Sequence, residues 1–326
     1  MLSSKQRNLW KLCGLFLVNK VSVLFCFDER ILLGAGVSIV TLVDCAAEST
    51  VLDIRIMHPG LSDEAKGGLL HLIDGSRHEM KFVEVSPDRF SNAPKNRGSW
   101  TEIVYYRLVA SEILSDCDRV IYSDVDVFFK RDLYSAFSMN FDGAEWAGVA
   151  AERNEPNMLA HKYFPENTKE RVYFSGFMVM NLELMRENRA VERYFEGIEW
   201  LGHRLKFFDL DLVNVLTQKI AQLPFDYVVL EDIYEVENIE ESREFGFLNS
   251  VYSVQDLEAA RQDPAIIHYA GPRGKPWQRQ QVPRYYQEVV DRLPAELQRT
   301  TFRDWRKTWL SSKGRKRRYQ RSDGLT

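Results

Sequence analysis

Asp124 and Asp126 stand one residue apart in the stretch Arg119-Val-Ile-Tyr-Ser-Asp-Val-Asp-Val-Phe-Phe129. In an extended backbone, residues i and i+2 face the same way. The two carboxylates therefore leave the end of a short apolar run together. Two like charges that close repel each other unless a cation lies between them, and a hard divalent cation is the partner carboxylates prefer. Taken alone, Asp-x-Asp reads equally well as a solvated corner. The flanks Val120-Ile-Tyr122 and Val127-Phe-Phe129 read as buried on both sides, which argues against a corner of that kind.

Other residues able to do chemistry sit at comparable places. Asp28 directly follows the apolar run Val21–Phe27. Ala265-Ile-Ile-His268 reads as a short strand that feeds Tyr269-Ala-Gly-Pro-Arg-Gly-Lys-Pro-Trp277. Gly271 and Gly274 there allow a loop to approach a ligand closely, and Lys275 adds a point charge suited to phosphate. A lone strand-end His is more often structural, but one that runs into a Gly/Lys loop is harder to set aside. Asp209 reads as a helix N-cap, with Asp211 and Asn214 as i, i+3 neighbours on that helix. By spacing alone Arg107 is a solvated residue on a helix.

The elements that would position these residues follow from periodicity. Val21–Phe27, Val51–Ile56 and Lys81–Val85 read as strands, and Gly34–Val43 and Ser62–Asp74 as intervening helices, the second capped by Ser62 with Leu69, Leu70 and Leu72 inward. This β-α-β-α-β series predicts an α/β fold with a mostly parallel sheet and helices on both faces. Ser86–Gly98 reads as a loop. Ser99-x-x-Glu102 is a capping box opening a helix to about Ile113, which leads into the Asp124/Asp126 strand. Trp146–Ala151 and Tyr173–Asn181 read as further strands, with Gly176 a point of close approach, and Leu182–Trp200 as one helix. Glu231–Glu244, with seven acids and one Arg, reads as a solvated face or loop. In open α/β sheets ligands gather beyond the carboxyl ends of strands, so Asp28, Asp124 and Asp126 are expected to share one crevice.

Composition narrows the classes. With 326 residues, 45% hydrophobic and 28% charged, the chain has the make-up of an ordinary soluble protein able to form a sizeable core. No window of 18 uninterrupted apolar residues predicts a spanning helix, and Leu9–Val18 lacks the marks of a signal peptide. Four Cys without a C-x-x-C pair argue against a zinc site or a disulfide framework. Arg299–Arg321 carries ten Lys or Arg and one acid, a net of +9, leaving −13 for the rest of a chain whose total is −4. An acidic body with a basic tail is unsuited to nucleic acid and suited to an anionic membrane surface. Phe302, Trp305, Trp309 and Leu310 recur at near-helical spacing within that tail, as at a membrane interface. The expected layout is an N-terminal extension (1–20), a catalytic body (21–296) and a basic aromatic tail (297–326). The expected location is the cytoplasm, at the inner face of the membrane.

From about Val21 to Trp277 the chain resembles a family 8 retaining glycosyltransferase of the bacterial lipopolysaccharide type, with a GT-A fold. The resemblance rests on Phe27-Asp28, Tyr105-Tyr-Arg107-Leu108, Tyr122-Ser-Asp-Val-Asp126, Ser175-Gly176 through Asn181-Leu182, Asp209-x-Asp211-x-x-Asn214 and His268-x-x-Gly271-x-x-x-Lys275-Pro-Trp277, six motifs in the family's order. It implies that Asp124, Asp126 and His268 ligate a divalent metal, Mn2+ or Mg2+. It implies that Gly271 and Lys275 contact the diphosphate of a UDP-hexose and that Asp28 reads the uracil. Arg107 would then sit near the donor sugar and the first motif Asp, Asp124, and Asp209 would hold donor-sugar hydroxyls, with Asp211 in the same catalytic motif. The partners it implies are a UDP-sugar donor and a saccharide or glycolipid acceptor. The chain departs from the pattern at Phe174, where Asn is frequent, at Leu210, where Gln is common, and near Ile31, where an aromatic residue is frequent. Leu210 cannot act as a nucleophile, which favours same-face attack assisted by the leaving phosphate. Two other readings use the same site: a nucleotide-sugar hydrolase or phosphotransferase, and an inactive sugar-nucleotide-binding scaffold.

Overall fold

The computed structural model of the chain describes residues 18–94, 101–158, 164–271, 273–279 and 281–298. Its strands are β1 (Asn19–Cys26), β2 (Thr50–His58), β3 (Glu79–Glu84), β4 (Arg119–Ser123), β5 (Val127–Phe129), β6 (Trp146–Arg153), β7 (Arg171–Asn181), β8 (Ile220–Leu223), β9 (Val229–Leu230) and β10 (Ile266–His268). A strand buried on both faces has little room for polar alternation. β1 is buried from Val21 to Cys26 and lies inside a seven-stranded sheet of order β3-β2-β1-β4-β7-β6-β8. β1 runs parallel to β2 and β4, β2 to β3, and β6 to β8. Within the described residues of that sheet only β7 runs antiparallel to its neighbours, β4 and β6, so the mostly parallel α/β fold expected from the sequence is present.

A second sheet, β5-β10-β9, adjoins the first. The chain leaves β4 at Ser123 and enters β5 at Val127, so residues 124–126 form the joint between the two sheets. Helix α1 (Leu32–Cys45) supports that joint. It is buried without a break from Leu32 to Leu42, as an apolar helix inside a domain must be. The Ser38 hydroxyl lies 2.7 Å from the Val125 carbonyl oxygen and 2.9 Å from that of Val127, fixing the backbone on both sides of Asp126. Thr41 Oγ1 accepts from the Phe129 N–H at 3.2 Å.

Several local expectations need correction. Helix α2 (Asp63–His71) is capped by Ser62 as expected, with Leu69 buried, but Leu70 is 44% exposed. A step of one residue turns the helix by roughly 100°, which carries Leu70 off the inner face. The stretch before β4 is a 3₁₀ segment (Glu102–Val109) followed by one α turn (Ala110–Ile113), not a continuous α-helix. Thr101 holds its N-cap position without a side-chain bond, and Ser99 lies outside the described residues. The single helix expected over Leu182–Trp200 is two, α3 (Leu182–Glu187) and α4 (Ala190–Leu201), broken where Arg189 takes φ +53°. Helix α5 (Asp209–Leu216) begins with Asp209 inside its first turn rather than capping it; the cap position is Phe208, at φ +52°.

The tail beyond Gln298 and the segment before Val18 lie outside the described residues. Leu297 is fully buried, and its side chain packs at Gly36 of α1 and Gly68 of α2. Among the described residues no helix is long and apolar enough to cross a membrane.

Candidate active site

Backbone pairing assembles the centre. β10 pairs with β5 so that His268 stands opposite Val127, and the Tyr269 N–H donates to the Asp126 carbonyl at 2.8 Å. The Asp124 N–H donates to the Gly176 carbonyl at 2.8 Å. Asp124, Asp126 and His268 thereby bring one ligand atom each within 4.8 Å of one another. His268 Nε2 lies 3.3 Å from Asp126 Oδ1 and 3.7 Å from Asp124 Oδ2. Gly176 faces this cluster. A Cβ there would sit 2.4 Å from His268 Cε1 and 3.0 Å from Asp124 Oδ2, so only glycine leaves the side chains where they are.

Arg107 is 5% exposed, which overturns its reading as a solvated helical residue. Its guanidinium donates to Asp124 Oδ1 at 3.0 Å and to the Ser175 carbonyl at 2.6 Å, and lies 3.2 Å from Asp209 Oδ2. It also covers the Tyr122 ring at 3.8 Å, while the Tyr122 hydroxyl donates to Asp124 Oδ1 at 2.5 Å. Its paired carboxylates are 17 and 102 residues away in sequence, so helical spacing could not show them. Tyr122 was within reach of sequence reasoning, because strand alternation puts it on the face of Asp124. Burial pushes the Asp209 carboxyl up to about 6 against the pull of Arg107. Asp211 Oδ2 accepts from the Lys206 and Phe207 N–H groups at 2.5 and 2.7 Å. That oxygen holds the turn that delivers Asp209. Asn214 ties the same helix to β7 through both backbone groups of Tyr173, each at 2.8 Å.

The Gly/Lys loop closes the other side. Gly271 takes φ +141° and Gly274 φ +77°, a region that favours glycine. The Lys275 ammonium bonds Asp126 Oδ2 and, at 3.2 Å, the Tyr269 carbonyl. Burial alone would raise the Asp126 pKa, but Lys275 and His268 together hold its carboxyl well below the usual carboxylate range. Asp28 lies just past β1 as expected. Its carboxylate caps the short 3₁₀ turn Glu29–Ile31 and pairs with Arg30, accepting from the Arg30 N–H at 2.9 Å and from Nε at 2.7 Å.

The donor set suits a hard divalent cation. Two carboxylates and one imidazole converge, and neither ring nitrogen of buried His268 has a hydrogen-bond partner among the described residues. A buried imidazole is normally satisfied, and here Nε2 faces both carboxylates at ligand-like spacing.

Comparison with known proteins agrees with this architecture. The sequence profile described as glycosyl transferase family 8 matches residues 22–281. A lipopolysaccharide 1,3-galactosyltransferase of Salmonella typhimurium is 23% identical over 265 residues, covering 79% of this chain and 73% of that protein. A lipopolysaccharide 1,2-glucosyltransferase of Escherichia coli is 23% identical over 281 residues, covering 84% of this chain and 78% of that protein. Among solved structures, the galactosyltransferase LgtC in complex with donor and acceptor sugar analogues aligns with TM-score 0.69 at 18% identity, over 86% of this chain and all of that one.

Proposed function

Because the chain belongs to glycosyl transferase family 8, we propose that it is a metal-dependent retaining hexosyltransferase moving galactose or glucose from a UDP-sugar to a lipid-linked or surface saccharide. The observation that carries this reading is the convergence of Asp124, Asp126 and unsatisfied His268 with Lys275 on a glycine loop. That arrangement suits a diphosphate held together with a cation. The two lipopolysaccharide transferases among the relatives, one for galactose and one for glucose, support the hexose class.

In this reading Asp124, Asp126 and His268 hold the cation, which would offset the negative charge developing on the departing diphosphate. Lys275 and the loop amides supply a second, preorganised share of that stabilisation. No general acid is needed for such a leaving group. Arg107 fixes Asp124 and Asp209 relative to each other, and Asp209 is assigned to donor-sugar hydroxyls. Asp28 is assigned to the uracil. Its carboxylate then has to serve the base and Arg30 together.

Incubating the full-length protein with a panel of UDP-sugars and Mn2+, with and without acceptor glycans, tests the reading. Hexose transfer to the acceptor is expected. UDP release independent of acceptor would identify a hydrolase, and binding without turnover a scaffold.

Gly176→Ala gives a second test. The added methyl displaces His268 or Asp124, and a disturbed ligand environment lowers metal affinity by roughly 10- to 100-fold. Unchanged Mn2+ affinity in this variant would exclude the assigned ligands.

The basic aromatic tail, expected from residue 297 but here taken as 299–326 because Leu297 is buried on the body, is assigned to an anionic membrane surface at the cytoplasmic face. Each cation near such a surface contributes on the order of 1 kcal/mol, and salt screens it. Co-sedimentation with anionic vesicles is expected at low salt and not at high salt. Deleting the residues after Gln298 is expected to abolish it while activity on a small soluble acceptor persists. Equal pelleting of full-length and truncated protein would contradict the assignment.

A further inference from the structure

The loop that carries Gly271 and Lys275 has two glycines in the left-handed region, and its described residues between Tyr269 and Lys275 form no helix or strand. A segment of this kind loses much conformational freedom when it closes on a ligand. The described residues hold it in place from outside. Arg279 forks onto both oxygens of Glu231 at 2.6 Å each. The same guanidinium donates from Nε to the Gly274 carbonyl at 3.2 Å, and a second bond to that oxygen comes from Nη2. Arg273, just before Gly274, donates to Asp232 Oδ1 at 3.1 Å. The other oxygen of Asp232 accepts from the Ser242 hydroxyl at 2.8 Å and the Arg243 N–H at 3.0 Å. On the far side of the loop the Trp277 indole lies on α1 at Gly34, where a Cβ would fall 2.4 Å from the ring.

These contacts correct the reading of Glu231–Glu244 as a solvated face or loop at its first two acids, while Glu235, Glu237, Glu240 and Glu241 are exposed as expected. Glu231 is 3% and Asp232 8% exposed, and both are joined to the loop by guanidinium groups. Of the three cations at positions 273, 275 and 279, two are committed to these acids, and only Lys275 reaches Asp126.

We propose that Glu231 and Arg279, seconded by Asp232 and Arg273, are positioning residues that hold the Gly271–Lys275 loop in its diphosphate-binding form before the donor arrives. The proposal rests on the reading of this loop as the diphosphate cradle. Arg279 serves through its fork, since a bidentate guanidinium fixes both carboxylate oxygens and a backbone carbonyl together, which an ammonium cannot do. With the fork lost, the loop samples other conformations. The apparent dissociation constant then rises by the inverse of the fraction still competent. The fully closed complex is unchanged, so the loss falls on KM and not on kcat.

The experiment compares Glu231→Gln, Arg279→Lys and the unsubstituted full-length protein. UDP affinity is measured by calorimetry with saturating Mn2+, alongside kcat and KM for the donor and the thermal midpoint. The expected result in both variants is a weakening of UDP binding and a rise in KM of roughly tenfold, about a tenth of the population remaining competent, with kcat within about threefold. Two variants keep the test open should one fail to fold. A lowered thermal midpoint with UDP affinity unchanged would show a merely structural ion pair and overturn the proposal while the functional reading stands. Absence of UDP binding in the unsubstituted protein would overturn both.

Discussion

Replacing Asp124 or Asp126 with asparagine is expected to lower hexose transfer by roughly a thousandfold or more, the scale of the several kcal/mol of transition-state charge stabilisation that a cation supplies. The asparagine substitutions separate charge from shape. At position 124 the amide oxygen can still accept from the Tyr122 hydroxyl and Arg107, which now bond Asp124 Oδ1. At position 126 the backbone carbonyl that accepts from Tyr269 is untouched. The fold should therefore persist, as circular dichroism and a thermal melt will report, while initial rates at saturating donor collapse. Near-normal cation-dependent turnover in either variant would show that the pair at the sheet joint is not the metal site.

Lys275→Met should slow transfer by about one to three orders of magnitude, the range for losing one preorganised charge partner of a developing anion. This substitution also has an effect of opposite sign. The Lys275 ammonium bonds Asp126 and so competes with a cation for that carboxylate. Removing it leaves Asp126 without its nearest counter-charge. Mn2+ alone should therefore bind the variant at least as tightly as it binds the unsubstituted chain, even as kcat/KM falls. Steady-state kinetics and a metal titration on the same preparation check both halves. An unchanged kcat/KM would remove Lys275 from the site, and a large loss of metal affinity would show that it does not compete there.

The sequence made some of this legible and hid the rest, for physical reasons. Strands such as β1 and β4 were visible because a strand buried on both faces reads as a nearly continuous apolar run. Asp124, Asp126 and His268 were visible because each stands where an apolar run ends, and strand ends are where this class of sheet opens. Spacing hid Arg107, since its burial depends on Asp124, Asp209 and the Ser175 carbonyl, none of them a helical neighbour; the family motif was what put it beside Asp124. Asp209 read as a cap because Asp before an apolar run is a common cap signal. The positive φ of Phe208 moves the helix start by one residue and gives Asp209 to Arg107 instead. Glu231 and Asp232 read as solvated because acid-rich runs usually are, and their partners lie 48 and 41 residues further on. Local pattern reports which face a side chain takes. It does not report what the rest of the chain brings to that face.

The most direct test of the account is an electron paramagnetic resonance titration of Mn2+ with the full-length protein in the presence of UDP, repeated with Asp126→Asn and His268→Ala. The account predicts a single bound ion per chain whose spectrum changes when UDP is added, with affinity strongly reduced in both variants. Stoichiometric Mn2+ binding that survives both substitutions, or no binding by the unsubstituted protein with UDP present, would contradict it.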